Sequence, residues 1–297
     1  MYNFAQARGE DVKPPVFEFS APTHLSGVLE RLAHYGDEGR VLAGGQSLVP
    51  LLNMRMASPR GLVSINHCDE LSYIRFSNGH LTIGALTRQQ EANTSELVKS
   101  ACPLLAAVLP EVGCRASRNR STICGSLAHA DPCAELPAVA VALDAVFVVR
   151  SQQGMRESDA AEFFVSELCN SMESGEMLEA VRFPTAAPDT RVAFSKISSR
   201  GHGFALAAVA TQLDIAADGT CSSVRIAAVG GGPTPVRLVD AERLLVGQRI
   251  SEELARAAAD AALPMLDPSS DLHADSDYRR HVIGKMIRQT LCQAAAV

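Results

Sequence analysis

Residues 41–48 read Val41-Leu42-Ala43-Gly44-Gly45-Gln46-Ser47-Leu48. A short apolar strand runs into paired glycines, and a helix starts at Ser47, with Pro50 in its first turn where a missing N–H costs little. Such a turn can bind an anion without a lysine. Glycine allows close backbone approach, and the helix start supplies free N–H groups and partial positive charge. The plainer reading is a strand-to-helix turn in which Gly44 and Gly45 only supply positive φ. The stretch is no Rossmann fingerprint, because neither G-x-G-x-x-G nor the P-loop pattern G-x-x-x-x-G-K-[ST] occurs in the chain.

Working outward, Leu25, Val28, Leu29 and Leu32 recur at helical spacing, with Thr23 or Ser26 as a cap and Gly36 as a stop. GLVSIN, residues 61–66, reads as a further strand, so helix, strand, helix and strand make a small α/β unit. Ser77-Asn78-Gly79 then marks a hairpin between LSYIRF and HLTIGAL. A helical stretch runs from Thr87 to about Leu109, divided at Pro103. A buried helix (AVAVALDA), a strand (AVFVVR) turning near Gly154, and a closing strand (MLEAVRFP) complete this part. The last third restarts as an antiparallel sheet, RVAFSKIS, FALAAVATQLDIA and CSSVRIAAV, with a turn at Asp218-Gly219. Helices follow at 241–246, at 251–262 behind a capping Ser251, and at 278–295. Domain edges fall near residues 65 and 188, giving units of 1–65, 66–187 and 188–297.

A second turn, Ser121-Thr122-Ile123-Cys124-Gly125-Ser126, leads to Asp131-Pro132 and Glu135. Its small and hydroxyl residues again offer donors, while Asp131 and Glu135 can accept hydrogen bonds from a ribose or a base. Each acid has a simpler reading, Asp131 as an Asp-Pro turn and Glu135 as a first-turn charge favoured by the helix dipole. Lys196 reads on its own as an exposed strand lysine.

Bulk properties remove several classes. The 297 residues carry a net charge of -6, without the clustered Lys and Arg that nucleic acid requires. No apolar run reaches the roughly 18 residues of a membrane span, and the start MYNFAQARGEDVKPP lacks the regions of a signal peptide, so a cytoplasmic location follows. The eight cysteines show neither zinc nor iron–sulfur spacing and read as reduced thiols. If the protein does redox chemistry, its metal centres are elsewhere, and no metal ligand or catalytic residue is assigned in this chain.

Taken together, AGGQSL and TICGS-x4-DP-x2-E resemble the AGG-x-S and T-I-G-G signatures of the FAD-binding medium subunits of molybdenum hydroxylases, the xanthine dehydrogenase and carbon monoxide dehydrogenase family. The resemblance continues at Leu62–Asn66, at Thr82-Ile83-Gly84-Ala85, at Arg118-Asn119, at Leu178–Pro184, at Phe194-Ser195-Lys196 and at Tyr278-Arg279-Arg280. It spans nearly the whole chain.

The resemblance implies an α+β protein: a two-lobed FAD-binding domain of the vanillyl-alcohol-oxidase/p-cresol-methylhydroxylase type, followed by a C-terminal α+β domain. It places the FAD pyrophosphate against Val41, Leu42, Ala43, Gly44, Gly45, Gln46, Ser47 and Leu48 and against Thr122, Ile123, Cys124, Gly125 and Ser126. Val112, Asp131 and Glu135 would lie by the adenosine and ribitol parts, and Leu178 and Lys196 would complete the pocket. Four positions depart from the family pattern: Cys124 for Gly, Gln46 for His, Ser126 for Asn and Glu135 for Asp. Each substitute is small or hydrogen-bonding. The flavin is expected to be non-covalent, because neither turn offers a matching attachment residue.

The implied function is electron transfer within a dimer of heterotrimers. A molybdopterin cofactor in a large subunit hydroxylates the substrate. Electrons then pass through [2Fe–2S] clusters of a small subunit to this FAD and on to an external acceptor. Purines, N-heterocycles, aldehydes and carbon monoxide are all compatible substrates, because their pocket belongs to another polypeptide. NAD, a quinone or a cytochrome are compatible acceptors. The alternatives are a stand-alone flavin oxidoreductase of the same fold, with His129 or His202 as its base, and a scaffold that has lost its flavin.

Overall fold

The computed structural model describes residues 13–200 and 203–296. The beginning of the chain, read above for a leader, lies outside the described residues, as do Gly201 and His202.

The first glycine turn sits in a small parallel sheet. Strand β1 (Glu18–Ser20) leads to helix α1 (Leu25–Tyr35), β2 (Gly39–Leu42), α2 (Leu48–Asn53) and β3 (Gly61–Ser64), with strand order β1-β3-β2. Sequence periodicity misses β1, a three-residue strand with little burial of its own. The cap of α1 also differs from expectation. His24 holds the cap position without a side-chain bond, and Glu70 Oε1 accepts the Leu25 N–H at 2.6 Å. A residue from the next lobe thus does the work expected of Thr23 or Ser26.

The hairpin pairs β4 (Ile74–Ser77) with β5 (His80–Gly84), and Asn78 and Gly79 both take positive φ, as a tight two-residue turn requires. The helical stretch that follows is divided at Ser95 as well as at Pro103, giving α3 (Gln89–Thr94), α4 (Glu96–Ala101) and α5 (Pro103–Val108). Next come α6 (Arg115–Arg118), α7 (Ile123–His129), α8 (Glu135–Ala142), β6 (Val146–Ser151) and β7 (Gly154–Asp159). A one-turn helix α9 (Ala160–Phe163) and a short ladder of β8 (Phe164–Ser166) with β9 (Cys169–Asn170) lead to β10 (Met177–Pro184). The sheet order is β4-β5-β10-β6-β7. The last strand of this lobe lies in the middle of its sheet, paired on both sides.

The C-terminal part is a four-stranded antiparallel sheet of β11 (Arg191–Ser198), β12 (Ala205–Ile215), β13 (Cys221–Val229) and β14 (Val236–Arg237), in that order. Helices α10 (Val239–Leu245), α11 (Glu252–Ala262) and α12 (Ser276–Ala295) follow, and Ser251 caps α11 through Leu254 N–H at 3.2 Å. Alternate side chains of a strand point to opposite faces, and here both faces are buried. Ala208, Ala210, Ala227 and Val229 join the core of the first two lobes, with Val63, Ile83, Leu105, Leu127 and Val139. Ala207, Val209, Leu213 and Ile226 pack with Ala258, Ile283, Ile287 and Leu291 of the C-terminal helices. Polar ties reinforce the junction. Arg225 and Arg237 of the sheet both pair with Asp144 beyond α8, and Arg237 also reaches the Val141 carbonyl at 3.1 Å.

Candidate functional site

Because β2 ends at Leu42 and α2 begins at Leu48, the first turn lies at the carboxyl end of a parallel strand, where open α/β sheets receive ligands. Among the described residues, the N–H groups of Gly44, Gly45, Gln46, Ser47 and Leu48 donate to no other group of the chain. Ser47 holds the cap position of α2 with no side-chain bond back to the helix, and both Gln46 and Ser47 are exposed. Val41, Leu42, Ala43 and Leu48 flank the turn, half-buried. Gly45 has φ of 73°.

The second turn starts α7. Thr122 is its cap, with Oγ1 accepting the Gly125 N–H at 2.9 Å. Ile123 and Cys124 turn inward. The Cys124 thiol points at the Ile83 carbonyl at 3.6 Å, and burial pushes its pKa up. The departure from glycine at this position is therefore absorbed by the core. Gly125 is left exposed and Ser126 half-buried.

The fold brings the two turns into contact. A Cβ built on Gly44 would stand 2.3 Å from the Arg120 carbonyl oxygen and 2.7 Å from Ser121 Cα. Gly44 is therefore a glycine because the other turn lies against it, a reason that its own sequence context does not reveal. Hydrogen bonds reinforce this contact. Asn66 Nδ2 donates to the carbonyls of Leu42 at 3.1 Å and Ala43 at 3.0 Å. Arg88 spans the gap, with Nη2 on Asn66 Oδ1 at 2.7 Å and Nη1 on the Arg120 carbonyl at 2.6 Å. Burial, and after it the neighbouring Arg120 cation, lower the pKa of Arg88. The backbone on either side of Arg88 bonds to the second turn as well, Gln89 N–H to the Ser121 carbonyl at 2.8 Å and Ile123 N–H to the Thr87 carbonyl at 3.3 Å.

A second group of expected residues gathers where the C-terminal sheet meets α8. Lys196 is not an exposed strand lysine. Its Nζ lies 2.5 Å from Glu135 Oε1, and both side chains are only 7% exposed. Burial raises the pKa of Glu135, and the Lys196 hydrogen bond and charge oppose that rise. The same ammonium reaches the Glu111 carbonyl at 3.0 Å, which brings the adjacent Val112 into the group. A cleft of about 380 Å³ opens here, lined by Ala107, Glu111, Phe194, Ser195 and Lys196. Asp131 keeps its plainer role for now, its Oδ1 accepting the Cys133 N–H at 2.8 Å in a turn before α8. Leu178 is buried beside the bulge in β10. A larger cleft, about 550 Å³ around His24, Glu70 and Arg150, contains none of the expected residues.

The residues fit a dinucleotide. One turn presents a run of free N–H groups, the other a capped helix start, and among the described residues no carboxylate bonds to either. Sequence reasoning left Arg88 and the Asn66 side chain out of the site. Asn66 carried a faint signal, as an amide ending an apolar strand; Arg88, one residue ahead of a helix, carried none.

A family model described as the FAD binding domain in molybdopterin dehydrogenase matches residues 15–186, and one described as the CO dehydrogenase flavoprotein C-terminal domain matches residues 192–294. The chain is 39% identical to the 6-hydroxypseudooxynicotine dehydrogenase complex subunit alpha of Paenarthrobacter nicotinovorans, over 95% of this chain and 96% of that protein. It is 33% identical to the carbon monoxide dehydrogenase medium chain of Hydrogenophaga pseudoflava, over 95% and 98%. A solved structure of carbon monoxide dehydrogenase from that organism superposes with a TM-score of 0.92 at 35% identity, over 95% of this chain and 98% of the other.

Proposed function

The chain belongs to the FAD-binding medium subunits of the carbon monoxide dehydrogenase and xanthine dehydrogenase family, and we propose that it holds its FAD pyrophosphate between the two glycine turns. It is the flavin subunit of a multi-subunit molybdenum hydroxylase, an oxidoreductase. When bound, FAD would supply the redox chemistry of electron uptake and release. The chain's residues bind and orient. Under this proposal the free N–H groups of Gly44 to Leu48 and the start of α7 receive the phosphates, and Val112, Asp131 and Glu135 lie by the adenosine and ribitol parts. Leu178 and Lys196 complete the pocket. The close contact of the turns at Gly44 is the observation that carries this reading.

The proposal extends to the partners: a small subunit with [2Fe–2S] clusters as electron donor and a large subunit with the molybdenum cofactor, in a dimer of heterotrimers in the cytoplasm. Relatives named as a medium chain and a complex subunit support that division of labour. No helix of the described residues is long and apolar enough to cross a membrane. The proposal divides the chain near residues 65 and 188, where the parallel sheet gives way to the second sheet and where β10 leads to β11.

The purified chain should be yellow and accept electrons from dithionite, yet hydroxylate no purine, N-heterocycle or aldehyde until the other two subunits are added. Among the described residues no group of three metal-ligating side chains exists, and His129, at the end of α7, belongs to no catalytic constellation. Turnover of a small organic substrate by the isolated chain would instead support a self-sufficient flavin oxidoreductase, and a colourless chain that binds no flavin would support a scaffold.

A further inference from the structure

The two glycine turns belong to different lobes, and their phosphate-facing N–H groups are useful only if their spacing is fixed. The contact at Gly44 sets how closely they approach, but by itself it does not stop them sliding or opening. Two side chains in series link the two sides. Arg88 holds the Arg120 carbonyl with one terminal nitrogen and Asn66 Oδ1 with the other, and Asn66 in turn holds the last two carbonyls before Gly44. The chain of bonds therefore runs from Leu42 and Ala43, through Asn66 and Arg88, to the residue two positions before the Thr122 cap. Arg88 is partly buried and its planar fork is committed to these two acceptors, so it acts behind the turns.

We propose that Arg88 is a positioning residue for the dinucleotide: with Asn66 it locks the two turns at the separation that a pyrophosphate bridges. This rests on the reading that the turns hold the FAD pyrophosphate. The lock depends on two bonds made at once by one rigid group, with charge secondary. Lysine keeps the charge but is a point donor on a flexible stem, so it cannot replace the fork. At metal sites, partners placed behind the ligands commonly carry about ten- to a hundredfold in affinity, and an effect of that order is expected here.

The test uses the full chain stripped of flavin, titrated with FAD and with ADP, which shares the pyrophosphate. Wild type, Arg88→Met, Arg88→Lys, Asn66→Ala and the double variant Arg88→Met/Asn66→Ala are compared, and the melting temperature of each apo-chain is recorded. Arg88→Met should raise the Kd for FAD and for ADP by about tenfold or more, by the same factor for both, with the apo melting temperature close to wild type. Arg88→Lys should fall with Arg88→Met, and the double variant should be little worse than the poorer single one, because both break one chain of bonds. Unchanged affinity in Arg88→Met overturns the proposal. So do rescue by lysine, additive losses, loss for FAD but not ADP, or an affinity loss that only follows a lowered melting temperature. If Arg88→Met does not fold, Asn66→Ala and Arg88→Lys decide the matter by the same criteria. A wild-type chain that binds neither FAD nor ADP would instead overturn the reading of the glycine turns.

Discussion

Gly44→Ala should cost the protein its flavin. The added methyl would meet the Arg120 carbonyl oxygen at 2.3 Å and the Ser121 Cα at 2.7 Å, both of them backbone atoms, so no side-chain rotation relieves the clash. The turns must part by the better part of an ångström, and overpacking of this kind costs about 1–3 kcal/mol or more. Binding that depends on both turns together should weaken by roughly a hundredfold, since each 1.4 kcal/mol is tenfold. Gly45→Ala is the natural control. It forces a non-glycine residue into positive φ at roughly 1–2 kcal/mol, but its methyl meets only side chains, Val49 at 3.1 Å and Leu42 at 3.3 Å, which can give way. Equilibrium titration with FAD and thermal melting of both variants check the ranking. If Gly45→Ala proves the more damaging, the contact between the turns is not what Gly44 is for.

Lys196→Met should be the most destabilising single change in the C-terminal sheet. It leaves the Glu135 carboxylate enclosed without its cation, and breaking a buried pair from one side typically costs about 3–5 kcal/mol. The loss should depend on pH in a definite sense. Burial already raises the pKa of Glu135, and removing the lysine leaves that effect unopposed, so the folded-state value moves further above the unfolded one. The stabilising contribution of a carboxyl with a raised pKa is fully present below its unfolded pKa and is lost as pH rises through the folded value. Lys196→Met should therefore approach wild-type stability in mild acid and fall behind towards neutral pH. Glu135→Gln should be milder, and the double variant Glu135→Leu/Lys196→Met should recover much of the stability, because a well-packed apolar pair can replace a buried ion pair. Denaturant melts at several pH values decide it; a penalty independent of pH would mean that Glu135 does not titrate in response to Lys196.

Much of this architecture is legible from local pattern. The glycine turns, the Asn78-Gly79 hairpin, the three long strands of the C-terminal sheet and the Ser251 cap depend on neighbours in sequence, and each stands where the pattern puts it. What escapes depends on partners far along the chain. Strand β1 exists only because β3 pairs with it, and β10 lies centrally because strands from both sides dock on it. The α1 cap passes to Glu70 for the same reason. Within the site, the residue types of the turns are readable, but their contact at Gly44, the Arg88 brace and the burial of Glu135 and Lys196 are tertiary facts. A lysine on a half-buried strand and a glutamate in a first helical turn look solvated until the two segments meet.

The C-terminal sheet, buried on both faces, bears on how such subunits can be recombined. β12 and β13 supply one wall to the flavin lobes and the other to their own helices, so the sheet is shared property and not a detachable module. A chimera joined between β10 and β11 would graft one relative's Ala208, Ala210 and Val229 onto another's α5 and α8. It would also separate Lys196 from Glu135, and Arg225 and Arg237 from Asp144, unless both parents carry the same pairs. Exchange between relatives should therefore carry α5, α8, the sheet and the C-terminal helices together as one inherited block.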